Sequence, residues 1–216
     1  MDIENNKEEV PFGHYEELFK KGNAQEMAER SGAKWEDGKF YVNLLGTEYA
    51  ISHPEYAIWR TDSSTSLGMT SAAVQQGDNK IPLPVQTFLL RYLLEGKKAI
   101  WEGTFKTFRE MPWGELYITP YTGRVLTRAA YTFGMRLDAF RAACEKMGAT
   151  KLPHGDAGYQ FDFIGGYCVQ ILVWEADEEF PPNAQVLYSD NFSSGFAPED
   201  RVVAGDILIS AVKANM

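Results

Sequence analysis

The sequence predicts an α+β fold: antiparallel β meanders packed against a buried central helix, in a single domain of 216 residues. Three observations carry this reading. Asp37-Gly38 separates two short runs suited to strands, the strongest short-range hairpin signal. Gly165-Gly166 joins two longer alternating runs in the same way. Between them, Val85 to Glu95 is apolar around most of a helix circumference, the pattern of a helix covered on most sides. Strands that follow strands, with helices between the groups, give α+β rather than the alternating βαβ of a parallel sheet.

Composition supports a folded chain and removes several partners. Hydrophobic residues make up 44%, aromatics 13% and charged residues 24%, far from the low-hydrophobicity regime of disordered chains. The formal net charge of -9 repels phosphate backbones, and Lys97-Lys98 is too short a basic patch to reverse that, so nucleic acid is excluded as a partner. No apolar run approaches the roughly 18 residues of a membrane-spanning helix. The start is polar and acidic, unlike a secretory leader, so a cytoplasmic protein is expected. Cys144 and Cys168 fall on an expected helix and an expected strand, where buried free thiols are the ordinary outcome.

Taken in order, residues 1–10 read as a frayed polar start. Pro11 to Ser31 has helical spacing, with Tyr15, Leu18 and Phe19 on one side. Gly22-Asn23 interrupts it, Asn23 caps a second short helix, and Gly32 ends that helix. The period then changes to two. Lys34 to Glu36 and Lys39 to Leu45 flank the hairpin turn, with Phe40, Val42 and Leu44 on one face. Glu48 to Ser52 and Tyr56 to Arg60 extend the meander. Residues 61–80 are polar and weakly patterned, which predicts a flexible insert. Pro84 in the first turn and Gly96 after the last bound the central helix.

Trp101 to Met111 reads as extended, followed by turn chemistry at Pro112-Trp113-Gly114. A helical pattern runs through Val125, Leu126, Ala129, Ala130 and Phe133 to Gly134. A second, amphipathic one covers Leu137 to Met147. Tyr159, Phe161 and Phe163 then alternate with polar residues. The return strand from Tyr167 to Trp174 is apolar on both faces, as a central or covered strand is. Ala184 to Tyr188 supplies a third strand, and Pro198 opens a C-terminal helix that buries Val202, Val203, Ile207, Leu208 and Ala211.

The most unusual chemistry lies in the loop Glu175-Ala176-Asp177-Glu178-Glu179-Phe180-Pro181-Pro182. Four carboxylates within five residues raise one another's pKa or bind a cation that cancels the repulsion. They also offer an acid and base pair, or simply a solvated turn stiffened by the two prolines. The spacing does not match an EF-hand loop. His154-Gly155-Asp156 is a second candidate, as two metal ligands, as a base with its orienter, or as a turn. Aromatic residues near Gly and Pro, among them Trp101, Trp113, Tyr117, Tyr121, Tyr131, Phe133 and Trp174, suit a pocket for a flat ligand and equally a packed core. Phosphate loops, dinucleotide fingerprints, zincin helices, nucleophile elbows and Cys-x-x-Cys pairs are all absent, so the corresponding enzyme classes are not indicated.

Three stretches carry a resemblance. They are Pro82-Leu83-Pro84-Val85-Gln86 leading into Leu90-Arg91-Tyr92-Leu93-Leu94, Phe108-Arg109-Glu110-Met111-Pro112 with Gly114 and Tyr117, and Gly155-Asp156 with the acidic run from Trp174 to Pro182. In these the chain is similar, from about Tyr15 to its end, to the uncharacterised domain-of-unknown-function family DUF3786 of anaerobic bacteria and archaea. The resemblance implies no established activity and leaves any cofactor open. The resemblance implies that some members carry an added N-terminal Cys-rich iron–sulfur module of the kind seen in corrinoid methyl-transfer proteins, absent from this sequence, and that the polar insert here is longer than the family's usual connection.

The sequence reading is therefore a cytoplasmic, non-catalytic ligand-binding or accessory domain, linked by the resemblance to anaerobic one-carbon or corrinoid chemistry. Its partner is a small molecule or another protein. The candidate ligand-binding residues are Asp156, Trp174, Asp177, Glu178 and Glu179, with Arg91, Arg109 and Glu110 as counterparts. Two alternatives stand beside it: a metal-assisted hydrolase or lyase built on His154, Asp156 and the acidic loop, and a protein–protein interaction domain.

Overall fold

A computed structural model describes residues 8–61 and 81–216. Most of the expected frayed start and the expected insert after Thr61 lie outside the described residues. The chain divides into two compact units, Met1–Lys98 and Ala99–Met216. Each combines helices with an antiparallel meander, so the α+β class holds within both.

In the first unit, helices α1 (Glu9–Lys21) and α2 (Ala24–Ser31) precede four strands, and helix α3 (Leu83–Glu95) follows them. Asn23 caps α2: its side-chain oxygen accepts from the amides of Gln25 at 3.0 Å and Glu26 at 3.2 Å. Gly32 closes the helix at φ 77°, the left-handed conformation that a Cβ disfavours. Strands β1 (Lys34–Glu36) and β2 (Lys39–Leu44) form the expected hairpin, with Asp37 at φ 49° and Gly38 at φ 73°. Two successive positive φ values match the twist of the flanking strands. Leu45 and Gly46 repeat the device before β3 (Thr47–Ser52), and β4 (Ala57–Arg60) pairs with β3.

Helix α3 buries Phe88, Leu89, Leu90, Tyr92 and Leu93, with α1 and α2 packed against it. The Tyr92 hydroxyl donates to Ser31 O at 2.7 Å and Arg30 Nη2 to Leu93 O at 3.0 Å, which ties the two helix ends together. One expectation on α1 fails. Leu18 is 42% exposed, and the inward line is Phe12, Tyr15 and Phe19 instead. Phe19 sits 100° further round the helix than Leu18, and its ring meets Phe40 at 5.8 Å.

The second unit opens with β5 (Phe105–Thr107), much shorter than the extended run Trp101 to Met111 that was expected. A 3-10 turn (Gly114–Tyr117) leads into α4 (Ile118–Tyr121), a π-helical turn (Thr122–Thr127) and α5 (Arg128–Phe133). The helical run thus begins before Val125, because Pro120 falls in a first turn, where its missing N–H is not needed. Helix α6 (Leu137–Lys146) follows, then β6 (Thr150–Leu152), β7 (Ala157–Ile164), β8 (Tyr167–Trp174) and β9 (Asn183–Ser189). Short α7 (Phe192–Gly195) and long α8 (Pro198–Ala214) complete it.

Strand β8 lies between β7 and β9, and β5 pairs with the far side of β9. That central place explains why β8 is apolar on both faces. Gly165 at φ 52° and Gly166 at φ 85° form the tight turn between β7 and β8. Helices α5 and α6 pack on the sheet, where Tyr159 meets Phe140 edge-on at 5.7 Å and Phe140 meets Phe133 at 4.8 Å. Helix α8 buries Val202, Ile207 and Leu208 as expected, while Val203 and Ala211 are only half-buried.

Candidate functional site

The acidic loop runs from Glu175 to Pro182, between Trp174, the last residue of β8, and Asn183, the first of β9, which pair with each other. A hairpin connection of this length needs its own supports, and the sequence supplies one at each end and one in the middle. At the entry, Asp156 Oδ2 accepts the Glu175 amide at 2.8 Å. Asp156 is itself held: its amide donates to Val173 O at 3.0 Å, and its carbonyl accepts from Arg141 Nη2 at 2.8 Å. Gly155 makes the approach possible, since at φ 70° a Cβ would stand 2.9 Å from Val173 O.

In the middle, Asp177 Oδ1 accepts the amides of Glu179 at 2.8 Å and Phe180 at 2.7 Å. The Asp177 amide returns a bond to Phe180 O at 3.0 Å. This is an Asp-nucleated turn, in which the side chain stands in for a backbone acceptor. At the exit Pro182 is buried against Gly134, where a Cβ would lie 2.6 Å from Pro182 Cβ and 2.9 Å from Trp174 O.

These supports leave Glu178, Glu179 and Phe180 facing solvent, Phe180 with 64% of its surface exposed. Two further large apolar side chains flank Gly134 in the chain. Tyr131 and Met135, four residues apart, are 59% and 63% exposed and stand three residues before and one after Gly134. Ordinary cores bury such residues, and here three are left exposed on the two segments that meet where Gly134 faces Pro182.

The structure brings together some of the expected residues. Asp156, from the loop before β7, braces the loop that follows Trp174 and carries Asp177, Glu178 and Glu179. His154 is exposed two residues before Asp156. The two candidate loops do meet, but the meeting is a carboxylate on a backbone amide. Among the described residues no group of three or more His, Cys, Asp and Glu side chains is placed to hold a metal ion. Arg91 lies on α3 in the first unit, paired with Glu95 at 3.2 Å and stacked over the Tyr15 ring at 4.8 Å. Arg109 pairs with Glu115 at 2.9 Å on the surface. Glu110 Oε2 accepts the Thr107 amide at 2.7 Å and hydroxyl at 2.8 Å, bonds that hold its carboxyl below the usual range. Each of these three therefore has a local structural partner.

Sequence reasoning missed the brace itself and Met135, and it named Tyr131 only among the aromatics suited to a pocket or a core. The signal for the pair was present, since Tyr131 and Met135 are out of phase with the buried Val125, Ala129 and Phe133. A third feature was invisible. Arg124 and Arg128 both pair with Asp206, Arg124 at 2.5 Å, and Arg128 also reaches Ser210 Oγ at 2.9 Å. This network fastens α8 to the π-helical turn.

The family described as Domain of unknown function (DUF3786) matches residues 23–211. The chain belongs to this family. The match includes the brace, the acidic loop and α5, so the whole candidate face lies within the DUF3786 region. No curated protein and no solved structure matches the chain.

Proposed function

We propose that this DUF3786 chain is a non-catalytic binding or accessory domain whose working surface is the loop from Trp174 to Pro182. The observation that carries it is the double bracing by Asp156 and Asp177. Both carboxylates accept backbone amides, so they hold the loop in shape, while the side chains of Glu178, Glu179 and Phe180 are displayed without a hydrogen bond or ion pair among the described residues. A loop ordered in advance loses little conformational entropy on binding, which favours recognition. The same geometry weakens the metal-assisted reading, because Asp156 and Asp177 already serve as acceptors. The setting we propose is the cytoplasm of an anaerobe, with a client from one-carbon or corrinoid chemistry, a step supported by the resemblance alone.

The test is a photoreactive residue placed at position 180 in the full chain, expressed in its native cells, with the same residue at exposed Val10 as control. Adducts specific to position 180 support the reading. Adducts that are absent, or equal at both positions, refute it.

A further inference from the structure

We infer that the occupant of this face is a basic, amphipathic segment of a partner protein, one that places an apolar side chain against Phe180, Tyr131 and Met135 and cations over Glu178 and Glu179. The inference rests on the proposed working surface and adds the chemistry of its ligand. It starts from two properties, acidic and apolar, carried by the segments that the Gly134–Pro182 contact joins. The Gly134–Pro182 contact fixes the end of α5 to the exit of the acidic loop, with a Cβ-to-Cβ approach of 2.6 Å if Gly134 carried a side chain. Phe180 stands two residues from that contact on one side, and Tyr131 and Met135 within three on the other.

Charge chooses the partner. From Trp174 to Pro182 there are four carboxylates and no cation. The helix ending at Phe133 adds the negative end of its dipole beside Gly134. Arg136 is exposed next to Met135 in the chain, while Arg141 is paired with Asp138 at 2.8 Å and bonded to Asp156 O. A second copy of this chain is a poor occupant, since it would set acidic loop against acidic loop with a net charge of -9 on each. Nucleic acid and anionic membrane surfaces are repelled for the same reason. A neutral apolar ligand would leave the carboxylates of Glu178 and Glu179 beside it without a counter-charge. A segment with Lys or Arg flanking one or two apolar anchors satisfies both properties.

The probes are three synthetic peptides of equal length: a Lys/Leu amphipathic helix, its Glu/Leu counterpart, and a Lys/Ser peptide without apolar anchors. Binding to the full chain is followed by backbone amide shifts and fluorescence anisotropy. The Lys/Leu peptide is expected to bind and to shift the amides of residues 175–180. Phe180→Ser and the pair Glu178→Lys, Glu179→Lys should each weaken it by about tenfold, the latter with a smaller salt dependence. The Glu/Leu and Lys/Ser peptides should bind at least about tenfold more weakly. Binding that survives both loop variants overturns the inference, as does equal binding of Lys/Ser, or failure of all three. Specific crosslinks at position 180 to a partner without a basic apolar segment would retain the working surface and remove only this inference. Absence of crosslinks removes both.

Discussion

Substitution of Gly134 by Ala separates two opposing effects, and the structure decides the sign. Gly134 ends α5 with φ -69° and ψ -12°, a right-handed conformation open to any residue. Local propensity alone therefore favours Ala by up to about 1 kcal/mol. Against that, the new Cβ would stand 2.6 Å from Pro182 Cβ, 2.8 Å from Ala130 O and 2.9 Å from Trp174 O. Carbon atoms prefer about 3.5–4.0 Å, so the proline must retreat by about 1 Å, and neither backbone oxygen can swing away as a flexible side chain would. Overpacking of this kind costs about 1–3 kcal/mol. The net expectation is a loss of about 1–2 kcal/mol, or roughly 5 °C in melting temperature. Gly123 is the control. It lies in the same helical run, an added Cβ there would meet nothing within 4 Å, and it is not among the positive-φ glycines. Gly123→Ala should leave stability unchanged or raise it by up to about 1 kcal/mol. Circular dichroism melts of both variants, with amide exchange at Glu175, form the assay. If Gly134→Ala melts at or above the wild-type temperature, or leaves the Glu175 amide as protected as before, the loop is not seated on α5 and the reasoning fails.

Two pH responses follow from the buried and bonded groups. Burial raises the Tyr188 hydroxyl well above its ordinary pKa, and pushes Tyr167 and the Cys168 thiol up to about 12. A group whose folded pKa is raised stabilises fully below its unfolded pKa, so stability should hold to about pH 8 and fall as pH rises towards 12, as the unfolded thiol and then the phenols ionise. Tyrosinate absorbance should show the buried tyrosines appearing only with unfolding; smooth titration of all tyrosines near pH 10 in folded protein would contradict this. At the acid end, the Thr104 hydroxyl, and the amides of Glu102 and Thr104, hold the Asp190 carboxyl low. A depressed carboxylate stabilises above its unfolded pKa and ceases to as pH falls through the folded value. The melting temperature should therefore drop below about pH 4, and Asp190→Asn should be less stable at neutral pH with a shallower acid decline; an unchanged acid profile would count against the Thr104 bonds.

Much of this protein was legible because its signals are local. Asn23 and Gly32 delimit α2, Asp37-Gly38 and Gly165-Gly166 set their hairpins, and the apolar circumference of α3 announced its burial, each through bonds or periodicities that span only a few residues. The family membership was legible for the same reason, in short motifs. Three-residue strands such as β6 carry too few side chains to show a period, and the helix before Val125 was hidden by Pro120 and Gly123. The face itself is a different matter. Sequence marked the acidic loop as unusual, yet Asp156 and Asp177 looked like ligands until tertiary structure placed their carboxylates on backbone amides. Helical phase set Tyr131 and Met135 apart from the buried line of α5, but only the tertiary structure showed that their segment meets the exit of the Phe180 loop, where Pro182 seats on Gly134, 48 positions away in the chain. Local hydrogen bonding and periodicity are written in neighbouring residues; which carboxylate is already satisfied, and which apolar side chain is left uncovered, depends on contacts between segments that close only when the chain has folded.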